Sequence, residues 1–293
     1  MARTIGIGYQ DFTELIKSGC FYVDKTEFIR EWWENQDVVT LIARPRRFGK
    51  TLNMSMLERF FSIEYHGQGQ IFEGFSIWKD KTYQQLQGTY PVIALSFADV
   101  KEVTFPEAKE KICQIIKMAF RKYHFLLDGD ILGKDEKEDF RKISADPKSC
   151  TITLSLKMLS LYLSRYYGKK VIIFLDEYDT PMQEAYMNGY WNEMTAFIRS
   201  LFNSTFKTNP YLFRAIMTGV TRTSKESIFS DLNNLEVVTA TSEKYENSFG
   251  FTEEEVWEAL KEHDLYDERQ KVKDWYDGFI FGKKRDIYNP WSI

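Results

Sequence analysis

The sequence has little histidine and cysteine, and this excludes several classes of site. It contains three histidines, and its three cysteines are Cys20, Cys113 and Cys150. None of these residues has the spacing of a Cys-x-x-Cys pair or of a mixed Cys/His metal site. Because the cysteines are far apart and odd in number, we expect reduced thiols. Neither a structural zinc site nor a disulfide scaffold is predicted.

Long apolar runs and an excess of basic charge are also absent from the sequence. No apolar stretch is long enough to cross a membrane, and residues 1–6 lack the apolar run of a signal peptide. We therefore expect a cytoplasmic protein that has no membrane partner. The formal net charge of −4 gives a nucleic-acid role no support, so any site for a polyanion must be local.

Apolar residues are abundant, and their pattern predicts strands that alternate with helices. The chain is 43% hydrophobic, which is ample for a packed core. One strand candidate ends near residue 43 and opens into a helix, and further short apolar runs cover residues 91–97, 171–175, 212–220 and 235–241. This alternation predicts an α/β fold, a three-layer sandwich whose mostly parallel sheet has helices on both faces.

The pattern changes from about residue 243 onward. Thr252 and Glu255 have the spacing of a capping box, which predicts that a helix begins there. We therefore expect a core domain over residues 1–242 and a small helical lid over residues 243–293. No further buried strand is predicted in this tail.

The segment 41–51 carries the first functional motif. It reads as a buried strand, a tight loop and the start of a helix, with Gly49, Lys50 and Thr51 at the junction. This is the end of a phosphate-binding loop, whose usual form is G-x-x-x-x-G-K-[ST]. Gly49 lets the backbone approach a polyphosphate, Lys50 supplies an ammonium group, and the Thr51 hydroxyl can ligate Mg²⁺.

This loop departs from the usual form at its first position. Arg44 stands where the first glycine belongs, and Pro45 favours an extended backbone at Arg44. We expect the loop to enter at a different angle and still to present the amides of residues 48–51. For Arg46 and Arg47 two interpretations remain open. Either one of them contacts the γ-phosphate or a partner's acidic surface, or they are an exposed pair or form salt bridges to surface carboxylates.

The second motif is an acidic pair at the end of a predicted strand. The apolar run 171–175 is followed by Asp176 and Glu177, at the strand end where α/β sheets bind ligands. Asp176 would hold Mg²⁺ together with Thr51, and Glu177 would polarise the attacking water. Either motif alone could be an ordinary structural feature; the acidic pair, for example, could be a turn after a strand. In this order, the two predict a P-loop nucleotide-binding fold.

The third motif, residues 218–222, ends the fourth strand candidate. A hydroxyl or amide there could orient the hydrolytic water, and Arg222 could stabilise the charge on a transferred phosphoryl group. A helix-entry turn capped by Thr221 is the alternative. We expect Asp179, just beyond the acidic pair, to order a loop or to lie at the surface.

These motifs resemble the AAA-ATPase-like family of bacteria and archaea. This divergent P-loop group is often followed by a PD-(D/E)XK nuclease-like domain. The segments that carry the resemblance are 21–26, 44–52, 174–179, 218–222, 275–279 and 288–290.

The resemblance implies ATP and Mg²⁺ as cofactors and assigns roles to individual residues. It implies that Gly49, Lys50 and Thr51 bind ATP, and we predict the same role for the adjoining loop residues Arg46, Arg47, Phe48 and Leu52. It also implies Asp176 and Glu177 as the metal and water-activating carboxylates. Together with the motifs above, the predicted metal ligands are Thr51 and Asp176, and the predicted catalytic residues are Glu177, Lys50 and Arg222. The resemblance also suggests that residues 22–26 lie near the nucleotide.

We therefore expect an ATP-binding protein, a Mg²⁺-dependent ATPase that acts as a nucleotide-driven switch. The alternative is a non-hydrolysing P-loop scaffold for a nuclease-like partner domain, which the resemblance places after residue 293 and which is absent from this chain. Arg44 favours this alternative, whereas the intact lysine, threonine and acidic pair argue against it. The sequence leaves the oligomeric state open.

Overall fold

A computed structural model of the chain describes residues 2–145, 152–220, 228–229, 231–276 and 278–293. Its strands are β1 (Val39–Ala43), β2 (Val92–Ser96), β3 (Val171–Asp176), β4 (Leu212–Gly219), β5 (Leu235–Val238), β6 (Phe279–Phe281) and β7 (Lys284–Ile287). Its α-helices are α1 (Phe12–Lys17), α2 (Glu27–Asn35), α3 (Lys50–Phe61), α4 (Lys81–Leu86), α5 (Phe105–Lys122), α6 (Lys134–Ala145), α7 (Ser155–Tyr167), α8 (Thr180–Asn188), α9 (Trp191–Phe202), α10 (Glu253–Glu262) and α11 (Arg269–Trp275).

Five of the strands form one parallel sheet in the order β2-β3-β4-β1-β5. β2 and β3 pair in register from Val92 opposite Ile172 to Ser96 opposite Asp176. The predicted α/β class with a mostly parallel sheet is confirmed. All five strands that the apolar runs predicted are present in this sheet.

The burial of the strands explains why they read as continuous apolar runs. Every residue of β1 and of β3 is buried, as expected when both faces of a parallel sheet are covered. Several helices have one buried face instead. In α5, which has Pro106 in its first turn, Ile112 and Ile116 lie on the buried face. None of the helices in the described part of the chain has the length and apolar character that a bilayer crossing requires.

The contacts between residues divide the chain into two compact units. The first unit draws on residues 1–36, 42–89 and 237–293, and the second on residues 37–41 and 90–236. The core of the first unit is rich in aromatic rings, and the second unit contains β2, β3 and β4. The domain boundary predicted at residue 242 stays a prediction.

The tail after residue 243 contains the predicted helices and, in addition, a hairpin. The capping box at the start of α10 is confirmed, because Thr252 accepts from the amide of Glu255 and the Glu255 side chain accepts from the amide of Thr252. β6 and β7 form an antiparallel pair that buries Phe281 and Ile287. The prediction of a tail without a further buried strand omitted this hairpin. Its strands are too short for a clear alternating pattern.

Candidate functional site

The phosphate loop runs from the end of β1 to the start of α3. Gly49 has a φ of 80° and precedes the first residue of α3, Lys50. This left-handed conformation is unfavourable for most residues with a Cβ atom, so the position favours glycine. Arg47 also has a positive φ, of 69°. The backbone therefore turns sharply twice before the helix begins.

The Lys50 side chain is folded into this loop. It is 4% exposed, and its Nζ donates hydrogen bonds of 3.1 Å to the carbonyl of Arg44 and 3.0 Å to the carbonyl of Pro45. Thr51 and Leu52 follow it in the first turn of α3 and are half-buried. The predicted phosphate-binding residues lie together at the junction of loop and helix. The Lys50 ammonium group is held beside the start of α3, where the helix dipole favours anions.

Arg44 has a structural role that its position in the motif does not indicate. It is 1% exposed, and its guanidinium lies 4.6 Å from the ring centre of Phe281 and 5.7 Å from that of Phe249. Its Nη2 donates to the carbonyl of Lys244 at 3.4 Å. Burial lowers the pKa of Arg44 to about 10, although the Glu31 carboxylate opposes this shift. The residue that replaces the first glycine therefore packs into the tail.

Two further residues of the loop also contact the tail. The Phe48 side chain is buried, with its ring centre 4.9 Å from that of Phe279, and its carbonyl accepts from the amide of Gly250 at 3.2 Å. The Arg47 guanidinium lies 4.6 Å from the ring centre of Trp291. Arg46 and Arg47 are both exposed, which is compatible with either interpretation above, so their role stays a prediction.

The segment 21–26 is ordered by a carboxylate. The two oxygens of Asp24 accept from the amide and hydroxyl of Thr26 and from the amide and hydroxyl of Ser76, at 2.6–2.8 Å. Burial raises the pKa of Asp24, but these four hydrogen bonds outweigh it and leave the pKa below its ordinary value. Asp24 therefore fixes this segment against Ser76.

Lys25 in the same segment is buried and forms an ion pair with the tail. Its Nζ lies 2.6 Å from Oε2 of Glu255 and donates to the carbonyl of Asn247 at 2.8 Å. Burial lowers the pKa of Lys25, and the Glu255 carboxylate partly restores it. Glu255 is also the carboxylate of the capping box, so this pair joins the segment to the start of α10.

The acidic pair lies at the end of β3, as predicted. The Thr218 hydroxyl at the end of β4 donates to Oδ1 of Asp176, which also accepts from the amide of Glu177 at 3.1 Å. Glu177 has a φ of 53°, an unusual backbone for a residue with a long side chain and one that is common at functional sites. The Thr180 hydroxyl donates to Oε2 of Glu177 at 3.1 Å. The second and third motifs thus meet through Asp176 and Thr218.

Asp179 lies just beyond the acidic pair, at the end of the turn that leads to α8. It is fully buried, and its Oδ2 accepts from the amide of Val220 at 3.1 Å and from Nε2 of Gln183 at 2.8 Å. It orders the turn after β3, as one of the two expectations stated, and it does not lie at the surface. A Cβ atom on Gly219 would meet Oδ1 of Asp179 at 2.5 Å and Cε1 of Tyr178 at 2.7 Å.

We predict that Gly219→Ala lowers the free energy of unfolding by about 1–3 kcal/mol, because overpacking a filled site forces its neighbours apart. Urea unfolding checks this. The matched control is Gly129→Ala in the same unit, where a Cβ atom would meet nothing within 4 Å. Equal stability losses in the two variants would contradict the close approach at Gly219.

Some predicted residues cannot be placed in this site. Thr221 and Arg222 lie outside the described residues. Within the described ranges, no group of three or more His, Cys, Asp or Glu side chains could hold a metal ion. The shared Mg²⁺ site of Thr51 and Asp176 stays a prediction.

Comparisons with known proteins agree with these motifs. The family model described as "Predicted AAA-ATPase" matches residues 6–229. An uncharacterized protein in the vnfD 5' region of Azotobacter chroococcum mcd 1 is 24% identical over 299 residues, which cover 99% of this chain and 51% of that protein. The chain thus spans about half the length of this curated relative. No solved structure matches the chain.

Proposed function

Because this chain belongs to the predicted AAA-ATPase family, we propose that it binds ATP at the loop after β1 and hydrolyses it with Mg²⁺. The observation that carries the proposal is the loop itself. Gly49 adopts the left-handed turn that brings the backbone close to a ligand, and the Lys50 ammonium is held beside the start of α3. Backbone amides, a helix N-terminus and an ammonium group together suit a triphosphate.

Lys50 is proposed to exchange its present hydrogen bonds for bonds to phosphate. Its Nζ now donates to two carbonyl groups of the loop, and a phosphate oxygen is a stronger acceptor than a neutral carbonyl because it is charged. We propose that Lys50 turns toward the β- and γ-phosphates when ATP binds. Phe48, Gly49, Thr51 and Leu52 would contribute mainly through the backbone around these phosphates.

We propose Thr51 and Asp176 as the ligands of Mg²⁺. A hydroxyl and a carboxylate are hard oxygen donors of the kind that Mg²⁺ prefers. Asp176 is oriented by the Thr218 hydroxyl, as supporting hydrogen bonds commonly orient metal ligands. When bound, Mg²⁺ supplies positive charge that neutralises the phosphate oxygens.

Glu177 is the proposed general base for hydrolysis. It accepts a proton from the water that attacks the γ-phosphorus, while the bond to the β,γ-bridging oxygen breaks and ADP leaves. The Thr180 hydroxyl, bonded to one of its oxygens, holds the carboxylate in place. Arg222 is proposed to stabilise charge on the transferred group. Arg46 and Arg47, both exposed, are proposed to contribute positive charge at the mouth of the loop.

We expect Lys50→Ala to weaken binding of ATP with Mg²⁺ by about tenfold to a hundredfold, because a charge-assisted hydrogen bond contributes about 1.5–3 kcal/mol. Isothermal titration calorimetry on the purified chain measures this. The matched control is Lys81→Ala, which removes an exposed lysine from the first residue of α4 in the same unit.

Two results of this titration would count against the proposal. A parent chain that binds no ATP contradicts it outright, and a Lys50→Ala variant that binds as tightly as Lys81→Ala removes the loop lysine from the site. Binding without turnover in the parent would favour the alternative, a non-hydrolysing P-loop scaffold. That scaffold would report nucleotide occupancy to a nuclease-like domain.

A further inference from the structure

A largely apolar cavity of about 240 Å³ lies in the first unit, beside the phosphate loop. Its wall combines residues from the N-terminal segment, from the first turn of α3 and from the tail. Phe21, Tyr22, Leu260 and Leu265 supply apolar surface to it. Apolar and aromatic walls with a few polar groups are typical of sites for small organic ligands.

The cavity is continuous with the residues that bind phosphate in the proposed function. Phe48 and Gly49 of the loop line it, and so do Leu52 and Asn53 in the first turn of α3. A ligand whose phosphates lie against the amides of this turn can therefore place its other end in the cavity. The segment 21–26, which Asp24 orders, contributes Tyr22, Val23 and Lys25 to the same wall.

The few polar groups at the cavity suit a planar heteroaromatic ring. His263 lines the cavity, and its Nε2 is buried without a hydrogen-bond partner in the part of the chain that the structure describes. Asn53 and Ser248 also line it, and they bond to each other through Nδ2 and a carbonyl at 2.7 Å. A nucleobase has apolar faces and an edge of donors and acceptors, so it matches aromatic walls with an unpaired ring nitrogen.

We propose that this cavity binds the nucleobase of the triphosphate, an inference that rests on the proposed function. The phosphates bind at the loop, the base enters between the N-terminal segment and α10, and His263 faces the base edge. Base recognition then depends on the tail, since α10 supplies Ala259 and Leu260 to the cavity. Burial of the base makes ATP bind more tightly than its phosphates alone.

The test fills the cavity and compares ligands with and without a base. Ala259 lies inside α10, so Ala259→Phe can add a ring without backbone strain. Calorimetric titrations would use ATP with Mg²⁺ and inorganic tripolyphosphate with Mg²⁺. We expect Ala259→Phe to weaken ATP binding by about tenfold or more, since a filled pocket loses its burial of the base, and to leave tripolyphosphate binding unchanged.

Two further variants separate this effect from damage to the fold. Glu258→Phe introduces the same ring at the neighbouring, exposed position of α10 and should bind both ligands as the parent does. Ala259→Val, a smaller intrusion, should weaken ATP binding by less than Ala259→Phe and spare tripolyphosphate. This graded loss, confined to the ligand with a base, is the result that supports the inference.

Failure of the inference and failure of the proposed function give different results. If the parent binds ATP and tripolyphosphate equally well, or if Ala259→Phe leaves ATP binding intact, the base does not occupy the cavity although the loop still binds phosphate. If both Ala259 variants weaken the two ligands in parallel, the inference is also overturned. A parent that binds neither ligand overturns the proposed function itself.

Discussion

Glu177→Gln is expected to bind ATP as the parent does and to hydrolyse it about 10²–10⁴-fold more slowly, which is the usual contribution of a general base. The amide has the size of the carboxylate and can still accept from the Thr180 hydroxyl, so the turn after β3 keeps its geometry. It cannot accept a proton from water. Phosphate release under saturating ATP measures the rate, and calorimetry measures the binding.

The control for this prediction is Glu193→Gln, which makes the same change at an exposed position in the first turn of α9, in the same unit. It should hydrolyse ATP at the parent rate. Parent-like turnover in Glu177→Gln would remove Glu177 from the role of base. Equal losses of binding and turnover would instead indicate that the carboxylate supports the turn.

Features set by neighbouring residues could be predicted from the sequence. The continuous apolar run that becomes β3 reads as a buried parallel strand because both of its faces are covered. The start of α10 is equally local, since Thr252 and Glu255 satisfy each other's amides three residues apart. Gly49 at the loop–helix junction is predictable because only glycine adopts that turn without strain.

Features set by distant residues could not be predicted in this way. The order of strands places β4 between β1 and β3, and no local pattern encodes which strands become neighbours. The hairpin of β6 and β7 was missed because its short strands bury little more than Phe281 and Ile287. Asp179 was expected to order a loop or to lie at the surface, and its full burial could not be predicted. A carboxylate is rarely buried unless it is paired, and the Val220 amide that donates to it lies 41 positions along the chain.

Arg44 is the residue for which the local motif and the tertiary structure disagree most. Compared with the usual phosphate loop, it replaces a glycine. In the structure, its guanidinium lies against Phe281 and donates to the carbonyl of Lys244, 200 positions along the chain. Periodicity and motif spacing contain no information on contacts of this range. Because the Arg44 side chain is buried against the tail, Gly49 still adopts its left-handed turn and Lys50 still begins α3.

We therefore predict that Arg44→Gly, which restores the usual motif, lowers the free energy of unfolding by about 3 kcal/mol or more. The substitution empties a site in which a long side chain is 1% exposed, and large-to-small changes in a core cost about 2–5 kcal/mol. It also leaves the Lys244 carbonyl without this donor. Urea unfolding measures the loss. We expect no gain in ATP affinity, because Arg44 packs into the tail rather than into the phosphate site.

Arg44→Met separates the packing of this side chain from its charge. Methionine keeps a long apolar chain against Phe281 and Phe249, and it removes a cation whose pKa is lowered to about 10 by burial. Replacing a buried charge with an apolar residue of similar length is often nearly neutral, so we expect a loss of about 1 kcal/mol. If Arg44→Gly were as stable as the parent and bound ATP more tightly, the arginine would be a defect of the loop. If Arg44→Met lost as much stability as Arg44→Gly, the charge and its hydrogen bonds, rather than packing, would hold the loop against the tail.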